Sequence, residues 1–131
     1  LISMKRFFYY QFPAVFYALL IFAVSSIPHL NPPDLHLKFQ DKLFHFLEYA
    51  IFAALLWRAF SHHSNSWVKR NSFWLTLILG ILYAMGDESY QKTVLGRSSE
   101  VSDFLADAGG IFVTIMLVKL FRRIKAPKLV K

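Results

Sequence analysis

The chain has 131 residues, of which 56% are apolar and 18% aromatic, and it has no cysteine. A soluble domain of this length has too little interior to bury so much apolar surface, and disulfides and thiolate metal sites are excluded. The formal net charge is +7, but the basic residues flank apolar runs and no nucleic-acid-binding motif occurs, so nucleic acid is not an expected partner. The composition predicts a single membrane domain over residues 1–131.

Four apolar segments follow one another along the chain: Phe7–Ser26, Leu43–Phe60, Phe73–Tyr90 and Phe104–Phe121. Each is close to the roughly 20 residues that a helix needs to cross the hydrocarbon core of a bilayer. Backbone groups in lipid must be hydrogen-bonded internally, and mostly short loops join the segments. The predicted fold class is therefore all-α, an integral membrane four-helix antiparallel bundle. Pro13 is expected to kink the first helix or to mark its effective start.

The segments between these spans are rich in breakers or polar residues. Ser26–Gln40, Ser61–Asn71 and Thr93–Ser102 are predicted loops. Met4 is a candidate translation start, so residues 1–3 are expected to be an addition to the natural chain. Helix–helix contacts in membranes favour small residues. The expected contact positions are Ala53, Ala54, Gly80, Ala84, Ala106 and Gly110.

Charge predicts the orientation of the bundle. Most basic residues lie at the N-terminus, around the second loop and in the tail: Lys5, Arg6, Arg58, Lys69, Arg70, Lys119, Arg122, Arg123, Lys125, Lys128 and Lys131. The positive-inside rule places both termini in the cytoplasm. All eight acidic residues lie towards the opposite side: Asp34, Asp41, Glu48, Asp87, Glu88, Glu100, Asp103 and Asp107. Acids contribute little to insertion, so their segregation indicates a function at that side.

Polar residues recur at helical spacing where three spans meet that side. Asp41, His45 and Tyr49 are four apart, and so are Asp103 and Asp107. The second and fourth spans begin at the surface where the third ends, so their polar residues are expected to converge. Intramembrane charges usually face the interior of a bundle and mark a site. The residues predicted to line one shallow pocket are Asp41, His45, Glu48, Asp87, Glu88, Gln91, Arg97, Asp103 and Asp107.

Structural roles are alternatives for several of these residues. Asp41 and Asp103 could cap helix N-termini. Asp87 and Glu88 lie near the C-terminus of a helix, where acids are disfavoured, so a site or a salt bridge to Arg97 is the preferred explanation for them. His45 could be a hydrogen-bonded core histidine, and Glu48 could pair with Lys42 or face a partner. Arg97 could bind a lipid phosphate or neutralise Glu100.

The pattern Asp41-Lys42-x-x-His45-Phe46-x-x-Tyr49 resembles the first signature of VanZ-like membrane proteins. A second pattern resembles the second signature of these proteins: Asp87-Glu88-x-x-Gln91 followed by Gly96-Arg97, Asp103-x-x-Ala106-Asp107 and Gly110. Members often carry Asn where this chain has Asp107, and a carboxylate adds a charge and removes two donors. The resemblance implies a four-helix multi-pass fold in the bacterial cytoplasmic (inner) membrane. The name-giving member is associated with resistance to teicoplanin, a glycopeptide, at the cell envelope.

The first functional hypothesis is a site that binds or modifies an envelope lipid or lipophilic compound, including a glycopeptide-related ligand. Glu88, His45 and Asp87 are its predicted acid–base residues, and Arg97 and Lys42 are expected to hold an anionic head group. The other predicted ligand-binding residues are Gln91, Asp41, Tyr49, Asp103 and Asp107. No cofactor or resident metal is predicted, with a divalent cation on Asp87, Glu88 and Asp103 as an alternative.

The second hypothesis is a non-catalytic subunit or assembly factor of a larger membrane complex. The polar residues would then form an internal network that sets the register of the helices, and the partners would be membrane proteins as well as lipids. A proton or ion conduit ranks third because the other half of the spans carries few polar residues to complete a path. No nucleophilic triad, phosphate loop or zinc-binding pattern occurs.

Overall fold

A computed structural model describes residues 3–125, so the expected addition at Leu1 and Ile2 and the basic residues Lys128 and Lys131 lie outside the described residues. The helices are Met4–Arg6 (α1), Phe12–Ser25 (α2), Gln40–Ser61 (α3), Ser66–Arg70 (α4), Ser72–Gln91 (α5) and Val101–Lys125 (α6), and a π-helical stretch, Phe7–Gln11, joins α1 to α2. No strand occurs between residues 3 and 125. The all-α prediction is confirmed.

Three helical stretches are long and apolar enough to cross a membrane: Met4–Ser25, Gln40–Ser61 and Val101–Lys125. The fourth long helix, α5, has 20 residues but does not reach the same apolar character. Its last turns carry Asp87, Glu88 and Gln91, all of them buried inside the protein. The most polar residues of α5 are therefore covered by the rest of the protein.

Pro13 lies in the first turn of α2, which agrees with its predicted role as the effective start of that helix. Proline lacks an N–H group and its ring collides with the carbonyl four residues earlier. The preceding residues Phe7–Gln11 form a π-helical turn, which accommodates this misfit without breaking the helical stretch.

The loop predicted between residues 61 and 71 contains the short helix α4, which the sequence analysis missed. Asn65 caps it, because its side-chain oxygen accepts hydrogen bonds from the N–H groups of Trp67 at 2.9 Å and Val68 at 3.3 Å. An Asn N-cap is a known start signal, but five residues are too few to show helical periodicity.

Helix α3 is the centre of the fold and packs against α2, α5 and α6. Helices α3 and α6 run in the same direction, since Lys42 contacts Asp103 at one end and the Arg122 guanidinium lies over the Trp57 ring at the other, 4.9 Å from its centroid. Helices α2 and α5 run the opposite way. The buried apolar core is formed by Ala14, Ile21, Tyr49, Phe52, Ala53, Leu56, Ala59, Ala84, Ile111 and Ile115.

Small residues bring these helices together. Of the predicted contact positions, Ala53, Gly80, Ala84 and Gly110 are buried. Ala54 is exposed, so its expected role in helix contacts is wrong. Successive helix residues are rotated by about 100°, and with Phe52 and Ala53 both buried, Ala54 falls on the outward side of α3.

Two loops at the end where α3 begins also contact each other. The His29 N–H donates to the Leu95 carbonyl at 3.1 Å. Gly96 has a φ of +74°, and a side chain there would overlap the His29 imidazole. A glycine at this position therefore allows the loop after α5 to lie against the loop after α2, and together they cover the polar end of the helices.

Candidate functional site

The polar residues of α3, α5 and α6 meet at this end. The Lys42 ammonium contacts the Asp103 carboxylate, and His45 Nδ1 lies 3.0 Å from Asp107 Oδ1. Glu88, from α5, lies 3.6 Å from the same His45 nitrogen. We call Lys42, His45, Glu88, Asp103 and Asp107 the polar cluster. The structure thus brings together five of the residues predicted as a site.

His45 is surrounded by carboxylates. Besides the contacts of Nδ1 with Asp107 and Glu88, its Nε2 lies 4.0 Å from Asp103 Oδ1. The His45 side chain is 13% exposed and the Asp107 side chain is fully buried. An imidazole held between acidic groups can exchange protons with them or with a bound molecule, so the geometry is compatible with the predicted acid–base role.

Lys42 is held within the protein. Besides Asp103, its ammonium contacts Asp41 Oδ2 at 3.2 Å and Glu100 Oε2 at 3.3 Å. These carboxylates compensate its charge, which leaves Lys42 poorly suited to the predicted role of holding an anionic head group. The alternative pair of Lys42 with Glu48 is not formed. Glu48 is half-buried and takes part in none of the ion pairs found in residues 3–125.

The two aspartates considered as helix caps behave differently. Asp103 Oδ2 accepts the Glu100 N–H at 3.0 Å at the start of α6, so Asp103 satisfies a helix-terminal donor as well as pairing with Lys42. Asp41 lies in the first turn of α3, where no side-chain capping bond is formed. The capping alternative therefore holds for Asp103, which also pairs with Lys42, and does not hold for Asp41.

Glu88 and Asp107 each have one buried carboxylate oxygen that accepts no hydrogen bond within residues 3–125. The Ser99 hydroxyl donates to Glu88 Oε2, but Glu88 Oε1 and Asp107 Oδ2 have no hydrogen-bond partner within residues 3–125. Leaving a buried polar atom unpaired costs about 1–3 kcal/mol, and more for a charged group. These oxygens are therefore suited to a hydroxyl, an amine or a cation supplied from outside the chain.

Asp87 belongs to a second, adjacent network. Its Oδ2 accepts hydrogen bonds from the Tyr49 hydroxyl at 3.3 Å and from Gln91 Nε2 at 3.0 Å. Gln91 also donates to Ser25 Oγ at 3.3 Å, and its carbonyl oxygen accepts from Arg97 Nη2 at 3.0 Å. Arg97 thus binds Gln91, and the expected salt bridge from Arg97 to Asp87 or Glu88 is not among the ion pairs of the described residues.

Tyr49→Phe is expected to lower the free energy of unfolding by about 1–3 kcal/mol, because the buried Asp87 carboxylate loses a donor. Thermal unfolding in lipid bicelles measures this change. Tyr9→Phe is the matched control, since Tyr9 is 63% exposed and its hydroxyl forms no hydrogen bond within residues 3–125. Equal small effects of both substitutions would contradict a structural role for the Tyr49 hydroxyl.

A polar cavity of about 180 Å³ adjoins the cluster. Residues from both covering loops and from all three helices line it: Leu30, Asn31, Pro32, Asp41, His45, Gln91, Gly96, Arg97, Ser98 and Asp103. Arg97 Nε is buried and has no hydrogen-bond partner in the described part of the chain. The cavity therefore presents an imidazole, carboxylates and a guanidinium to whatever enters it.

Two groups of side chains in residues 3–125 could hold a metal ion. They are Asp41, His45 and Asp103, and His45, Glu88 and Asp107, with ligand atoms within 4.8 Å of one another in each group. The set considered from the sequence differs, because Asp87 faces Tyr49 and Gln91. Neighbouring helix residues point about 100° apart, so Asp87 and Glu88 do not share a site.

Several contributing residues were missed by the sequence analysis. Ser99 binds Glu88, Ser25 binds Gln91, and Asn31 and Ser98 line the cavity. A serine at the end of an apolar span is a signal for a buried hydrogen bond, which applies to Ser25. The loop residues carry no helical periodicity, and the sequence offers no comparable signal for them.

The helices and the polar cluster define a helical membrane protein with a polar site at one end. The family model described as VanZ/LLP1 matches residues 5–122. The chain therefore belongs to the VanZ/LLP1 family. A search of curated proteins and a search of solved structures each found no match.

Proposed function

We propose that the chain spans the bacterial cytoplasmic membrane four times, as an antiparallel bundle of α2, α3, α5 and α6 with both termini in the cytoplasm. The alternating directions of these helices support this arrangement. Basic residues at one end and acidic residues at the other support the orientation. The polar cluster would then lie at the outer face of the membrane.

At that face, we propose, the cluster and its cavity bind or modify the head group of an envelope lipid or a lipophilic compound. The observation that carries this proposal is that two buried carboxylate oxygens beside His45, Glu88 Oε1 and Asp107 Oδ2, accept no hydrogen bond within residues 3–125. Glu88 Oε1 lies 3.6 Å from His45 Nδ1, beyond hydrogen-bond distance. Glu88 is 6% exposed and Asp107 is fully buried, so bulk water cannot fully replace a hydrogen-bond partner for these oxygens. His45 lines the cavity and contacts both carboxylates, so a ligand in the cavity would lie next to this group.

The charges of the site favour a particular head-group chemistry. Carboxylates accept hydrogen bonds, so a hydroxyl or amine group fits Glu88 and Asp107. Arg97, whose Nε is unpaired, is the cation best placed for an anionic part of the same head group. His45 would take up or release a proton of the bound group, oriented by its contact with Asp107. A link to glycopeptide resistance would follow if the ligand were a cell-wall lipid or the drug itself.

Native mass spectrometry of the protein released gently from its own membrane tests the proposal. The wild-type protein is expected to carry an envelope lipid, and Glu88→Gln is expected to lower its occupancy about tenfold or more, since a hydrogen bond to a charged group is worth about 1.5–3 kcal/mol. Asp34→Asn is the matched control, because it removes the same charge from an exposed loop residue whose side chain is 70% exposed.

The same measurement separates the lipid site from a subunit role. A lipid retained equally by wild type and Glu88→Gln would overturn the proposed site. A reproducible larger assembly without specific lipid, whose yield falls together with protein stability in Glu88→Gln and Arg97→Gln, would instead favour a non-catalytic subunit or assembly factor.

A further inference from the structure

A second cavity lies at the opposite end of the helices from the polar cluster. Its volume is about 700 Å³, and it is bounded by the end of α3, by α4, by the start of α5 and by the end of α6. Its basic lining residues are Lys69, Arg70, Lys119, Arg122 and Arg123. We call it the basic cavity. Five cations around one cavity repel each other unless an anion joins them.

The chain itself provides no such anion in its described part. All eight acidic residues lie within residues 34–48 or 87–107, and no carboxylate forms an ion pair with these five cations within residues 3–125. Two of them instead contact aromatic rings. The Lys119 ammonium lies 5.1 Å from the Phe73 ring centroid, and the Arg122 guanidinium 4.9 Å from that of Trp57.

The rest of the lining is apolar and continues onto the outer surface of the helices. Ile115 and Val118 also line the cavity, and their α6 neighbours Leu117, Leu120 and Phe121 are exposed. Tryptophan side chains, here Trp57 and Trp74, favour the level of lipid head groups in membranes. The cavity thus combines cationic and apolar lining residues with an exposed apolar surface on α6.

We propose that the basic cavity binds the phosphate group of an anionic membrane phospholipid, with an acyl chain along the exposed apolar face of α6. Arginine side chains bind phosphate through two parallel N–H groups. Basic pockets between membrane helices are suited to anionic head groups. This site is independent of the polar cluster, which lies at the other end and presents mainly acidic groups.

The test uses the purified full chain in neutral detergent, exposed to equal amounts of phosphatidylglycerol or phosphatidylcholine and measured by native mass spectrometry. Phosphatidylglycerol is expected to bind at least tenfold better. Arg70→Gln/Arg123→Gln is expected to weaken its binding roughly thirtyfold, at about fivefold for each charge removed. Lys5→Gln/Lys38→Gln removes the same charge from exposed residues outside the cavity and is expected to leave binding unchanged.

Two further arms keep the test decisive. Arg70→Lys/Arg123→Lys keeps both charges but loses the paired N–H groups of the guanidinium, so it is expected to fold and to bind phosphatidylglycerol less tightly than the wild type. Unchanged binding by this variant would contradict a phosphate held by Arg70 and Arg123, which tests the site even if the glutamine variant does not fold. Excess inorganic phosphate should lower the phosphatidylglycerol adduct of the wild type, as expected for a shared phosphate site. Equal uptake of the two lipids, or phosphate bound without any preference for phosphatidylglycerol, would overturn the proposal.

Discussion

Gly110→Ala is expected to lower the free energy of unfolding by about 3 kcal/mol, at the upper end for overpacking a close contact. A methyl group at Gly110 would overlap the backbone carbonyl oxygen of Phe46 and lie 3.0 Å from the Ala50 nitrogen. Backbone atoms cannot move aside as a flexible side chain can, so α3 and α6 must separate. The free energy of unfolding in lipid bicelles measures the effect.

The neighbouring glycine is the matched control. A methyl group at Gly109 would lie 3.7 Å from the Phe46 ring, which is ordinary van der Waals contact. Gly109→Ala is therefore expected to raise stability by roughly 0.5–1 kcal/mol, because alanine loses less backbone entropy in a helix. Equal effects at the two glycines would show that α3 and α6 are not in close backbone contact at Gly110.

The close contact between Gly110 and the backbone of α3 also supports the polar cluster. His45 directly precedes Phe46, and Asp107 lies one turn before Gly110. Separating α3 from α6 at Gly110 therefore lengthens the 3.0 Å contact between His45 and Asp107. If the lipid site proposed above is correct, Gly110→Ala is expected to reduce bound envelope lipid as well as stability.

Lys42→Met is expected to lower the free energy of unfolding by about 3 kcal/mol, the low end for removing one partner of a buried ion pair. The Asp103 side chain is 3% exposed and the Lys42 side chain 29% exposed, so loss of the ammonium leaves a buried carboxylate uncompensated. Asp103 would keep its hydrogen bond from the Glu100 N–H, which limits the loss. Unfolding in bicelles measures the effect here too.

Two comparisons test this explanation. Lys42→Met/Asp103→Asn removes both charges and keeps a side-chain acceptor for the Glu100 N–H at the start of α6. Its free energy of unfolding is expected to lie within about 1 kcal/mol of the wild-type value. Asp41→Asn changes a carboxylate that is 55% exposed, and exposed ion pairs contribute only about 0–1 kcal/mol. A double variant no more stable than Lys42→Met would contradict an uncompensated charge as the cause.

The helices and the gathering of polar residues could be predicted because both depend on local spacing. Apolar runs set the positions of α2, α3, α5 and α6, and the four-residue spacings placed His45 and Asp107 on faces that meet. Partners that come from different elements could not be predicted in this way. Arg97 binds Gln91 although Glu100 is three residues away in sequence. Lys42 contacts Asp103 of α6 as well as its neighbour Asp41.

The sequence by itself determined an all-helical membrane protein with its acidic residues concentrated towards one side, because hydropathy and charge are properties of single residues and short segments. Only the tertiary structure decided that Asp87 and Glu88, adjacent in sequence, serve different networks. It also decided that the cations of α4 and α6 surround one cavity. These outcomes depend on helix rotation and on the close approach at Gly110, which arise from the packing of all the helices together.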